Sequence, residues 1–111
     1  MDLRIAYRHH LESSPSLEEK IHAKAERFKK HFKGKIKVNW VCGVDGNVHH
    51  SEVNVHAGDH HYHAHAEAES LYKTFDLAAA KIEKQLQKDY QRMKNKIHRR
   101  GNETLMSQLV G

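Results

Sequence analysis

The spacing of apolar residues switches between strand-like and helix-like periods along this chain, and each switch marks an element. Leu3, Ile5 and Tyr7 alternate with Arg4 and Arg8, which predicts a short first strand. Leu17, Ile21, Ala25, Phe28 and Phe32 then return at helical spacing within an arc of roughly 80°. Two starts are open to that helix: Ser14 before Pro15 at the first helical position, or a capping box from Ser16 to Glu19. Gly34 is the expected stop. Ile36, Val38, Trp40 and Cys42 alternate with polar neighbours, Asp45-Gly46 signals a hairpin, and Val53, Val55 and Ala57 give a third strand. Gly58-Asp59 makes a second tight turn into Tyr62, Ala64, Ala66 and Ala68, after which Ser70 can cap a long helix.

That last helix, residues 71–100, has the clearest pattern. Leu71, Phe75, Ile82, Leu86, Tyr90, Met93 and Ile97 share an arc roughly 100° wide. Lys81, Lys84, Lys88, Arg92, Lys96 and Arg99 fall within roughly ±60° of Lys81, beside the apolar stripe. The predicted order is β-α-β-β-β-α, an α+β fold. The first helix is long enough to cross over and make the first two strands parallel, with right-handed connection. The remaining strands form an antiparallel meander. Each strand offers one apolar face, so the four-stranded mixed sheet should carry both helices on one face and leave the other wet. Met93 and Ile97 overhang such a sheet, against the N-terminal segment, against the tail from Leu105 to Val110, or awaiting a partner. Residues 1–100 are expected to form one domain and residues 101–111 a short tail.

Charge adds a direction to this picture. The 111 residues carry a net charge of +5, unevenly distributed. Residues 22–37 hold seven Lys/Arg against one Glu, and residues 81–100 hold eight against two acids, whereas residues 38–80 hold one Lys against six acids. Segregation of this kind favours a localised footprint for a polyanion. Plain solvation explains a single basic helix face; here both helices carry cations along the border of the buried stripe. Packed side by side, they are expected to bring Lys24, Arg27, Lys81, Lys84, Lys88 and Arg92 onto one phosphate-binding surface, with RNA as the leading partner. The strands lack an aromatic motif for stacking bases, so phosphate and shape recognition by helices is the better model. A general duplex-RNA binder is the wider version of this reading.

Other chemistries are weaker. The single Cys42 excludes an intramolecular disulfide and a cysteine-based zinc site, and it lies on the apolar strand face. Nothing resembles a phosphate loop or a nucleophile elbow, so the chain is read as a non-enzyme without a cofactor. No signal peptide or apolar span is seen, which makes it a cytoplasmic protein without a membrane partner; no DNA partner is expected. Twelve histidines need an account. With Gly58-Asp59 as a two-residue turn, His56 faces His61, Asn54 faces His63 and Glu52 faces His65, all on the wet face. His61, His63 and His65, about 6.6–6.8 Å apart, are candidate metal ligands. Clustered imidazoles could also turn the face cationic below neutrality, giving a metal- or pH-responsive RNA-binding module. The plainer reading is that histidine simply suits an exposed strand.

One segment is specific enough to suggest a family. Ala64-His-Ala-Glu-Ala-Glu-Ser-Leu-Tyr-Lys-Thr-Phe-Asp76, followed by Lys81-Ile-Glu-Lys-Gln-Leu-Gln-Lys88, resembles the ribosome hibernation-promoting factor / ribosome-associated inhibitor family. Tyr72, Asp76, Lys81, Lys84, Gln85, Leu86 and Lys88 fit its second helix, and Leu17, Ala23, Lys24 and Arg27 its first; the likeness runs over about residues 2–96. The resemblance implies a fold similar to a double-stranded-RNA-binding domain with an extra strand. It also implies binding to the small ribosomal subunit and its 16S-type rRNA, in competition with mRNA and tRNA, to block translation under stress or in stationary phase. Lys24, Arg27, Lys81, Lys84, Lys88 and Arg92 would then contact rRNA. Glu18 departs from the pattern, standing where relatives often carry a basic residue. Without the second domain of long-form members, the chain looks like a short form.

Overall fold

The computed structural model describes residues 1–8, 11–32 and 34–100, with side chains as far as residue 92. The expected order is present: β1 (Asp2–Arg8), α1 (Pro15–Glu26), β2 (Ile36–Asp45), β3 (Val48–Ala57), β4 (His60–Ala68) and α2 (Leu71–Arg100). The strands lie in chain order across one sheet, β1-β2-β3-β4. β1 runs parallel to β2, and the other two pairings are antiparallel.

Sequence chemistry explains the boundaries. The Ser14 side chain accepts the Leu17 N–H at 3.1 Å and Pro15 occupies the first turn, so the proline route starts α1. The helix does not run to Gly34. It tightens into a 3₁₀ segment at Arg27–His31, and Phe32 is extended, at φ −135° and ψ 139°. Arg27 and Lys30 stand one turn apart with no acid after Glu26, and like charges at that spacing weaken a helix. Leaving the helix also brings the Phe32 ring to 5.9 Å from that of Tyr62 on β4. The β2–β3 turn is centred on Gly46-Asn47, one residue later than expected, because Asp45 still pairs with Val48; Gly46 supplies φ +63°. The Gly58-Asp59 turn stands where the sequence puts it, with Ala57 opposite His60.

A single apolar core joins both helices to one sheet face. Leu17, Ile21, Ala25 and Phe28 meet Ile36, Val38, Trp40, Cys42, Val53, Val55, Tyr62, Ala64 and Ala66, with Leu71, Phe75, Ala78, Ala79, Ile82 and Leu86 from α2. Trp40, in register with Ile5 and Val53, meets the Phe75 ring edge-on at 5.8 Å and 88°. The Met93 and Ile97 side chains and the 101–111 tail lie outside the described residues.

One polar pair is buried in this core. Thr74 donates its hydroxyl proton to the Leu71 carbonyl at 2.6 Å, so the 2.8 Å contact with Ser51 must use the Ser51 proton. A Thr74→Val substitution keeps the shape but leaves the Ser51 hydroxyl without its acceptor. The expected loss is about 1–3 kcal/mol of unfolding free energy in a urea titration, restored in large part by Ser51→Ala in the same chain.

Candidate nucleic-acid interface

Helix α2 packs on β3 and β4, and α1 lies beside it. About the Ile82 direction, Lys81, Lys84, Lys88 and Arg92 lie roughly 80–160° to one side and Asp76 and Glu83 roughly 100–120° to the other. The basic flank overhangs the edge strand β4, and the acidic flank faces α1. A shallow groove of about 360 Å³ runs along the basic side, lined by His63, Ala64, His65, Lys81, Lys84, Gln85 and Lys88.

Two side chains fix the position of that flank. Lys81 Nζ donates to the His65 carbonyl at 2.6 Å, and Gln85 Nε2 donates to the His63 carbonyl at 2.7 Å. Both acceptors belong to the exposed edge of β4, where backbone groups would otherwise invite another strand. The Lys81–Gln85 spacing of one helical turn therefore covers the edge and sets Lys84 and Lys88 outside it. Among the described residues, neither Lys84 nor Lys88 pairs with a carboxylate. Like charges at this spacing weaken a helix by about 0.2–0.5 kcal/mol per pair, a penalty that a bound anion removes. Arg92 extends the row, with Asp89 at 3.9 Å. Asp89 is chiefly engaged elsewhere, accepting from the Tyr62 hydroxyl at 2.6 Å. Burial, and then this hydrogen bond to Asp89, push the Tyr62 pKa up.

The six cations expected on one surface are divided. Lys24 forms an ion pair with Asp76, and Arg27 Nη2 lies 2.6 Å from Glu83 Oε1, both across the α1–α2 seam. The Glu83 side chain is only 18% exposed, so Arg27 holds a largely buried charge in place. Cations of α1 and of the 3₁₀ turn after it thus meet the acidic flank of α2, and the basic flank of α2 lies on the far side of its own buried stripe. The merged surface is corrected to a basic row on α2 and a neutralised seam.

The histidines face the open side of the sheet in the expected register. Each candidate metal ligand turns to a different neighbour. His61 Nε2 lies 3.0 Å from Asn54 Oδ1, and its ring stacks on His56 at 4.3 Å. His63 approaches Glu52 at 3.4 Å and His65 approaches Glu67 at 3.2 Å. Among the described residues no three His, Cys, Asp or Glu side chains converge as a metal site requires.

Cys42 is fully buried, and burial pushes its thiol up from 9.0 to about 11. The native protein is expected to resist a thiol reagent at pH 8 and to react fully once unfolded in guanidinium. The unfolded chain releases this proton at lower pH than the folded one. Its stabilising contribution is therefore complete below about pH 9 and is lost as the pH rises through about 11.

Comparison with known proteins agrees with this fold. A family model described as Sigma 54 modulation protein / S30EA ribosomal protein matches residues 3–94. No curated protein sequence matches the chain. The fold is similar to the N-terminal domain of Thermus thermophilus Protein Y, with a TM-score of 0.75 at 19% identity, covering 79% of this chain and 98% of that one. It is also similar to a ribosomal subunit interface protein from Coxiella burnetii, with a TM-score of 0.70 at 24% identity, covering 81% and 98%. At these identities the likeness concerns the fold. Among the described residues no helix is long and apolar enough to cross a membrane.

Proposed function

The chain belongs to the Sigma 54 modulation protein / S30EA ribosomal protein family, and from that premise we propose that it silences ribosomes by occupying the small subunit's mRNA–tRNA channel. The observation that carries the proposal is the row Lys81, Lys84, Lys88 and Arg92 on one flank of α2, with the helix's Asp76 and Glu83 turned to the opposite flank. Such a row fits the regularly spaced phosphates of folded RNA, here 16S-type rRNA. The two bonds to β4 fix the helix flank that carries the row, so the helix itself need not move on binding. Lys24 and Arg27 take a secondary part, because a phosphate must compete with Asp76 and Glu83 for them. No reacting group is required: occlusion alone blocks translation, as suits stressed or stationary-phase cells. The name of the Coxiella burnetii protein, a ribosomal subunit interface protein, supports a ribosomal partner.

Competition tests the reading. Purified small subunits carrying labelled mRNA and initiator tRNA should lose both labels as the protein is added, with the protein appearing on the subunit in step. Stable co-occupancy of protein, mRNA and tRNA on one subunit would refute occlusion.

A further inference from the structure

The open face of the sheet carries a second concentration of cations, and the proposed occlusion does not use it. Strand register sorts this face into rows. Asp2, Lys37, His56 and His61 form the first, and Arg4, Asn39, Asn54 and His63 the second. The third runs Ala6, Val41, Glu52 and His65, and the fourth Arg8, Gly43, His50 and Glu67. Charge is polarised across them. Glu52 and Glu67 sit in the last two rows, each against an imidazole, at 3.4 Å from His63 and 3.2 Å from His65. The β1 and β2 residues of the first two rows, with His56, Lys35 and Gly58, line a cleft of about 530 Å³: Asp2, Arg4, Lys35, Lys37, Asn39, His56 and Gly58.

The cleft's lining indicates what it would hold. Arg4, Lys35 and Lys37 bring three positive charges against the single carboxylate of Asp2. Arg4 and Asp2 are 3.9 Å apart, and the Arg4 side chain is 79% exposed, so its guanidinium keeps most of its donors. Lys35, just before β2, and Lys37 within it lie two residues apart and line the same cleft, so their like charges are neighbours that an anion stabilises. Among the described residues neither makes an ion pair. Asn39 and His56 add further polar groups, and Gly58, at φ +61°, leaves the far end free of any side chain. The lining offers no apolar wall for a base, sugar or cofactor ring, whereas small-molecule sites are mostly apolar. A hydrophilic polyanion fits: the phosphodiester backbone of folded RNA.

We propose that this cleft is a second phosphate-backbone site, on the face of the protein opposite the α2 row. The protein then lies between two RNA segments, one against Lys84 and Lys88 and one against Arg4, Lys35 and Lys37. The inference rests on RNA being the partner, as proposed above, but on none of the α2 side chains.

The test measures binding of the full chain to ribosomes and to a labelled RNA duplex of about 16 base pairs, across about 50 to 200 mM salt. The R4Q/K35Q/K37Q variant should lower the slope of log affinity against log salt by about 2 to 3 on both probes, with an unchanged circular dichroism spectrum. Asp2→Asn should strengthen binding several-fold, a gain that damage to the fold cannot produce. A wild-type slope in the triple variant, or weaker binding in Asp2→Asn, overturns the proposal. Weakening on ribosomes alone, with duplex binding unchanged, would assign the cleft to a protein surface and also overturn it. The variant K84Q/K88Q, measured in parallel, separates the two sites. A normal slope there alongside a reduced slope in the cleft variant would count against the α2 row and leave this site standing.

Discussion

Charge reversal at Lys84, Lys88 and Arg92 together is expected to abolish co-sedimentation with ribosomes at about 150 mM salt, with the thermal unfolding curve nearly unchanged. The choice of residues follows from the structure. Lys81 holds the His65 carbonyl on the β4 edge, so its loss would disturb the fold as well as the charge. Lys84 and Lys88 have no carboxylate partner among the described residues, and the Arg92 side chain is 80% exposed. Each neutralised phosphate contributes a slope of about 0.9 in log affinity against log salt, so three lost contacts remove about 2.7. Reversal adds repulsion from neighbouring phosphates, and the expected fall in affinity is 100-fold or more, on the order of 3 kcal/mol. Lys24→Gln, by contrast, should change the slope by well under one, because its charge already faces Asp76. Sedimentation of a folded triple variant at the wild-type level would remove the α2 row from the mechanism.

Trp40→Ala should produce the largest loss of stability. Trp40 is fully buried at the middle of β2, between Ile5 and Val53, and carries the edge-on contact with Phe75 that ties the sheet to α2. Truncation of a buried tryptophan costs about 3–5 kcal/mol, including the cavity it leaves and the lost ring contact. In a domain of this size that lowers the melting temperature by more than about 12 °C. Trp40→Phe separates packing from polarity. The indole Nε1 is buried without a hydrogen-bond partner among the described residues, and phenylalanine removes that unsatisfied donor while keeping much of the volume. The Phe variant should fall within about 1 kcal/mol of wild type. An Ala variant as stable as the Phe variant would show that Trp40 does not anchor α2.

Much of this fold was legible in the sequence because periodicity and turn chemistry are local. Gly58-Asp59 set the β3–β4 register, which placed His61, His63 and His65 opposite their observed partners. The apolar spacings of Leu17 to Phe28 and Leu71 to Leu86 gave both buried helix faces. The resemblance carried by Ala64 to Asp76 and Lys81 to Lys88 agreed with the family match. What failed depended on neighbours. Phe32 fitted the α1 stripe, but its place beside Tyr62 required leaving the helix. Lys24 and Arg27 bordered the apolar arc as expected, but a helical wheel does not say which flank of α2 they meet. That flank carries Asp76 and Glu83, and the six cations do not merge. Gln85 was visible as part of a motif; its hold on the His63 carbonyl needed the tertiary position of β4. The three imidazoles of β4 had a ligand-like spacing, and spacing alone did not make them converge.

A cryo-EM reconstruction of the full chain on the small ribosomal subunit would address the central claim most directly. The account predicts density in the mRNA–tRNA channel, with the α2 flank of Lys81, Lys84, Lys88 and Arg92 against rRNA phosphates and the seam of Arg27 and Glu83 intact. Density elsewhere on the subunit, or in the channel with that flank turned to solvent, would contradict it.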